Sequence, residues 1–165
     1  YLMVGQTELF PDQLDLHDFF VGDSKAWGMV MSRAGKVQRR FRVDITGHCD
    51  AENLVLDERF VFDDGEKDRR IWKIEHQGDS VSGHASDVIG TAGGVIHGPM
   101  LQWTYDIAIK VGSRPVRVRF DDWMILADDN VMLSHAVIRK FGIRVADVFI
   151  AFRKSDSIQA PRAAA

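Results

Sequence analysis

The sequence predicts an all-β fold: an antiparallel meander of about nine strands closed into a barrel, preceded by a short N-terminal helical turn. Three observations carry this. From about Ser24 onward apolar and polar residues alternate with a period of two. Turn signals interrupt that alternation at short, regular intervals, the signature of a sandwich or barrel. The connections are nearly all short, and short connections join antiparallel neighbours. A meander of so many twisted strands leaves two exposed edges unless it closes on itself.

The elements follow in order. Pro11 and Asp12 introduce Leu14, Leu16, Phe19 and Phe20, spaced two to four apart among Asp12, Asp15 and Asp18. That spacing and the early acids suit a short helical turn whose apolar side plugs one end of a barrel. Gly22 ends it. Lys25–Ser32 forms the first strand, closed by Ala34 and Gly35. Phe41, Val43 and Ile45 alternate with Arg40, Arg42 and Asp44 in the second, which ends near Gly47–Ala51. Leu54, Leu56, Phe60 and Phe62 share one face of the third. Asp63-Asp64-Gly65 then supplies the positive-φ positions of a tight hairpin. The fourth, Arg69–His76, places Trp72 and Ile74 together. The fifth is Val81–Val88, followed by a break rich in glycine (Gly90, Gly93, Gly94). Leu101, Trp103, Tyr105, Ile107 and Ile109 make the inner face of the next strand. Val116 to Leu126, Val131–Arg139 and Val145–Arg153 complete the series. The expected organisation is therefore an N-terminal segment (residues 1–13), a single barrel domain (14–154) and a small, polar, disordered tail (155–165).

Composition is consistent with one globular domain. The 165 residues include 45% hydrophobic and 27% charged side chains, enough apolar material for a sizeable core. The formal net charge of -3 argues against a nucleic-acid partner, which would select for excess Lys and Arg on one face. The lone cysteine, Cys49, forms no internal disulfide and reads as a half-buried strand-end residue. No apolar run reaches the roughly 18 residues of a spanning helix, and no leader peptide is visible. The first residue is Tyr, so a leader or lipid anchor would lie upstream.

The exceptions to the alternation are the candidate functional residues. If the apolar face points inward, Glu58 is in phase with Leu56 and Phe60, Asp122 with Phe120 and Met124, Asp87 with Val81 and Ala85, and Arg70 with Trp72 and Ile74. A buried carboxylate needs a partner, because an unpaired buried charge costs several kcal/mol. Arg70 with Glu58, Asp87 or Asp122 is the natural pairing. Such a set makes either a polar pole for a ligand head group or a structural ion-pair cluster. Trp72, Trp103, Tyr105 and Phe120 would line an apolar ligand wall, within a wider aromatic set of Trp27, Phe41, Phe60, Phe62, Trp123 and Phe149. Met29, Met31, Met100, Met124 and Met132 would suit flexible alkyl chains. The six histidines fall at no metal-ligand spacing. His135 could act as a base opposite an inward acid. No phosphate-cradling loop or nucleophile elbow is present, so neither a metal nor a cofactor is expected.

A run of local motifs adds a resemblance. In order these are Phe19-Phe20-Val21-Gly22, Ala26-Trp27-Gly28, Gly35-Lys36 before Arg39-Arg40-Phe41, and Asp63-Asp64-Gly65-Glu66. Arg70-Ile71-Trp72, Asp87-Val88-Ile89-Gly90, Phe120-Asp121-Asp122-Trp123-Met124 and Lys140-Phe141-Gly142 follow. Together, over residues 14–154, they resemble an uncharacterised proteobacterial family, a domain of unknown function whose members are often described as lipoproteins. The helical turn, glycine and first-strand Trp are similar to the opening of lipocalins, without the Gly-x-Trp triplet. The resemblance implies a lipocalin-like barrel, with genes that often neighbour those for membrane fatty-acid modification. It also implies a periplasmic or membrane-anchored setting in a Gram-negative bacterium, through a segment outside this chain. The expectation is non-catalytic binding of a fatty acyl chain or lipid-like molecule inside the barrel. The alternatives are an enzyme acting on such a molecule through the inward carboxylates and Arg70, and a filled-core interaction module.

Overall fold

The computed structural model describes residues 10–155. The expected disordered tail, apart from its first residue, and most of the N-terminal segment lie outside that range. The chain forms one closed antiparallel barrel in strict meander order. The helix α1 (Leu16–Phe20) leads into β1 (Gly22–Ser32), β2 (Val37–Asp50), β3 (Asn53–Phe62), β4 (Lys67–Gln77) and β5 (Ser80–His84). These are followed by β6 (Val88–His97), β7 (Met100–Val111), β8 (Arg114–Asp128), β9 (Val131–Lys140) and β10 (Ile143–Lys154). Every strand pairs with its chain neighbours, and β1 pairs with β10 to close the ring, with Trp27 opposite Ala151. Closure leaves no free edge, which is the physical reason a meander of this length curls.

There are ten strands rather than nine. The additional strand, β6, runs through the stretch expected to be a glycine-rich break, and the expected fifth strand stops early, at His84. Glycine weakens a strand because it adds backbone entropy and packs nothing. Here the absence of side chains is what the packing requires. A Cβ on Gly83 would sit 2.9 Å from the Trp103 ring, and one on Gly94 2.8 Å from it and closer still to the Gln102 carbonyl. The indole of Trp103 occupies the space a side chain at either position would need. Gly90, at φ 70°, belongs to the irregular stretch between Ile89 and Gly93 where the β6–β7 register shifts.

The helix closes one end of the barrel, as the spacing of its apolar residues predicts. Asp15 caps it by accepting a hydrogen bond from the Asp18 amide at 3.0 Å, a contribution of about 1 kcal/mol. Leu14, Leu16, Phe19 and Phe20 are all buried. Each such side chain gains roughly 1.5–3 kcal/mol from leaving water, far more than a five-residue helix could gain from its own hydrogen bonds. Two features seat it. The Leu14 amide donates to the Gly98 carbonyl at 2.9 Å, and Gly47 in β2 has no Cβ to collide with the Phe20 carbonyl. The turns after β2, β4, β6 and β8 surround this plugged end. Those after β1, β3, β5, β7 and β9 form the opposite end, which no helix covers among the described residues.

Alternation assigns the remaining side chains. Inward rows include Ala26, Val43, Ile45, Leu54, Leu56, Trp72, Trp103, Met124, Ala136, Val148 and Phe152. Three aromatic residues expected in the apolar wall point outward instead: Trp27, Trp123 and Phe149 belong to the opposite phase of β1, β8 and β10, and Trp27 is 40% exposed. Met29, Met31 and Met100 follow them out, whereas Met124 and Met132 are buried. Cys49 is exposed, not half-buried.

Candidate functional site

The barrel encloses a cavity of about 230 Å³. Leu16 and Phe20 of the helix, with Leu56, Trp72, Trp103 and Met124, line its closed end. Trp72 and Trp103 meet edge to face at 5.7 Å between ring centroids, and Trp72 meets Tyr105 in the same way at 5.3 Å. Toward the uncovered end the wall becomes phenylalanine. Phe41, Phe60 and Phe62 pack together with centroids 5.7–6.1 Å apart, and Phe120 stacks on Tyr105 at 5.1 Å. Val30, Phe60, Phe62, Phe120 and Ile138 are only partly buried, so the lining opens at this end.

Between the two apolar zones lie four polar side chains: Glu58, Arg70, Tyr105 and Asp122. Glu58 and Arg70 are directly opposed across β3 and β4. Tyr105 and Asp122 come from β7 and β8 on the other side of the ring. Seven of the eight residues singled out from the sequence therefore line one cavity: Glu58, Arg70, Trp72, Trp103, Tyr105, Phe120 and Asp122. Asp87 differs. It sits in the turn after β5 rather than on a strand, because the strand ends at His84. From that turn it reaches back to Arg70 and accepts from Nε at 3.0 and 3.1 Å and from Nη2 at 2.7 Å. The Arg70 guanidinium also lies 5.6 Å over the Phe60 ring.

These contacts set the charge states. Burial opposes the charge on Arg70, but the Asp87 hydrogen bonds and the nearby Glu58 charge more than offset it, so Arg70 holds its proton more tightly than usual. Glu58 is dominated by desolvation, which pushes its carboxyl up to about 7. Arg70 pulls it back, while Asp87 and Asp122 add to the rise. Burial likewise raises Asp122 to about 6 against a hydrogen bond from Ser134 Oγ at 2.6 Å. Ser134 was not singled out from the sequence, although it shares the inward phase of Met132 and Ala136. Tyr105 is raised too, by burial first and by the Asp122 charge second. Neither Glu58 nor Tyr105 hydrogen-bonds to another described side chain, so their polar atoms face the cavity.

The remaining acids belong to the outer surface. Asp106 is clasped by Arg117 and Arg119, Asp121 by Arg139 and Asp147 by Arg144. His135 stacks on Phe149 at 4.6 Å and approaches Asp147 at 3.5 Å. It is on the outer face of β9 and does not line the cavity. Next to it an exposed apolar strip crosses β1, β10, β9 and β8 through Trp27, Phe149, Leu133 and Ile125. Among the described residues no cluster of three or more metal-binding side chains exists.

Solved structures similar to this chain include the following two. One is a protein of unknown function of the DUF3598 family from Nostoc punctiforme, at 13% identity and TM-score 0.67, covering 92% of this chain and 53% of that one. The chain thus spans about half the length of that protein. The other is an S-type phycobiliprotein lyase from Guillardia theta, at 10% identity and TM-score 0.61, covering 87% of this chain and 94% of that one. At such identities the likeness is one of fold. No curated protein matches. Residues 5–154 match the DUF3833 family, so the chain is a member of that family of proteins of unknown function.

Proposed function

We propose that the barrel is a non-catalytic binding protein that holds a hydrophobic small molecule, a fatty acyl chain or lipid-like compound, in its interior. The observation that carries this reading is the cavity itself: an apolar, aromatic-lined space within a closed barrel, plugged at one end, with a few convergent polar groups at mid-depth. That is the usual composition of small-molecule sites. At about 230 Å³ it lies below the roughly 300–1,000 Å³ of drug-sized pockets, which favours a slender chain over a bulky ring system. Arg70 is held by Asp87 and Asp122 accepts one hydrogen bond from Ser134, which leaves Glu58 and Tyr105 as the polar groups with no side-chain partner in the cavity among the described residues.

The test is native mass spectrometry of the purified protein, followed by calorimetric titration with ten- to twelve-carbon amphiphiles. Val30→Trp, which adds an indole at the partly buried end of the cavity, is expected to abolish uptake while leaving the unfolding transition intact. Uptake undiminished by Val30→Trp would refute binding in the interior.

A second reading, an interaction module, draws on the exposed strip of Trp27, Leu133, Ile125 and Phe149. Contiguous apolar surface of this kind marks contact sites. Concentration-dependent sedimentation that Leu133→Glu abolishes would support it.

A further inference from the structure

From the polar layer of the cavity, resting on the reading that the interior binds an amphiphile, we infer that the ligand's polar end is a hydrogen-bond donor, an alcohol or amine, and not a free carboxylate. Arg70 is the only cationic side chain lining the cavity among the described residues, and Asp87 occupies its Nε and Nη2. Asp87 uses two of the five N–H donors of the guanidinium and balances its charge, so what remains is hydrogen-bonding capacity without a net positive charge to draw in a second carboxylate. Facing the same space are Glu58, directly across from Arg70, and Asp122 from the opposite wall. One cation is thus set against three carboxyl groups.

A carboxylate head group would join Glu58 and Asp122 as the third acid lining a space whose one cation is already paired with Asp87. It could enter only if Glu58 or Asp122 took up a proton, since like charges at such depth disfavour one another. A hydroxyl or ammonium meets no such barrier. It donates to the Glu58 carboxyl, which has no hydrogen-bond partner among the described side chains, and the Tyr105 hydroxyl is within the same layer to complete the contact. The groups that set the charge around Glu58 are Asp57 on its own strand, Arg70 on β4, Asp87 in the turn after β5, Tyr105 on β7 and Asp122 on β8. His135 acts on the last of these from the outer face of β9.

The experiment is a calorimetric comparison of dodecanol, dodecylamine and dodecanoate on the full chain at pH 5.5 and pH 8. The three share one tail, so differences report the head group. At pH 8 both donors are expected to bind about tenfold or more tightly than dodecanoate, the ratio one hydrogen bond to a charged group supplies. Dodecanoate is expected to gain on lowering the pH, as Glu58 and Asp122 become protonated. Glu58→Gln, isosteric and uncharged, should reduce the pH 8 preference to within about threefold, and Asp122→Asn should act in the same direction. Equal affinity for all three compounds, or tightest binding of dodecanoate at pH 8, overturns the head-group inference and leaves interior binding standing. Failure of all three to bind overturns both.

Discussion

Glu58→Gln should abolish a pH dependence of folding stability that the wild type owes to one buried carboxyl. In the folded protein Glu58 titrates near 7, against 4.5 for the unperturbed group. The folded state therefore binds more protons than the unfolded chain between those values. Stability is the proton-binding difference integrated over pH, so it must fall as pH rises through this window. At about 1.4 kcal/mol per decade, the loss attributable to Glu58 between pH 5 and pH 8 is about 2–3 kcal/mol. Asp122, raised from 3.8 to about 6, slopes the same way at lower pH. His76 slopes oppositely. Burial lowers its pKa, so its contribution is lost as pH falls through the ordinary histidine range. Both are common to wild type and variant, and subtracting the two curves isolates Glu58. Urea unfolding followed by tryptophan fluorescence at half-unit steps from pH 5 to 8 measures this. The wild-type midpoint should fall relative to the variant's by on the order of 1 M across the range. A wild-type-minus-variant difference that stays flat from pH 5 to 8 would show that Glu58 is not held in a desolvated site, and the layer of polar groups described above would lose its physical basis.

Further outcomes follow from neighbouring contacts. Asp87→Asn should weaken the hydrogen bonds to Arg70, costing about 1.5–3 kcal/mol. It should also move the Glu58 titration toward acid, because Asp87 is one of the charges raising it; the pH series above, repeated on this variant, reads both effects. Gly94→Ala should cost about 1–3 kcal/mol or more by overpacking, since its new methyl would collide first with the Gln102 carbonyl and then with the Trp103 ring at 2.8 Å, and denaturant melts check it. Gly47→Ala should displace the helix, whose Phe20 carbonyl occupies the space of the missing Cβ, and hydrogen exchange at Val21 and Phe19 should accelerate while the strands stay protected.

Much of the barrel is determined locally. Period-two alternation places Leu56, Glu58 and Phe60 on one face of a strand whatever that strand pairs with, and Asp64-Gly65 turns the chain wherever it occurs, because backbone sterics act within a few residues. The same argument put Glu58, Arg70, Trp72, Trp103, Tyr105, Phe120 and Asp122 on inward faces, and a plug helix before the first strand. Three things depended on residues far apart in the chain. Strand β6 runs through a glycine stretch that propensity alone reads as a break, and the room that Gly94 on β6 and Gly83 on β5 leave for the Trp103 ring becomes visible only once those strands lie together. Trp27, Trp123 and Phe149 are aromatic but face out, because the phase of a strand is fixed by its smaller inward neighbours, such as Ala26 and Val148, and hydrophobicity does not reveal the phase. The choice of Asp87 over Glu58 and Asp122 as the partner of Arg70 follows from where a turn projects once the ring has closed. Alternation states which way a side chain points; only closure decides what it meets there, since distance across the barrel is set by strand number and stagger and not by position in the chain.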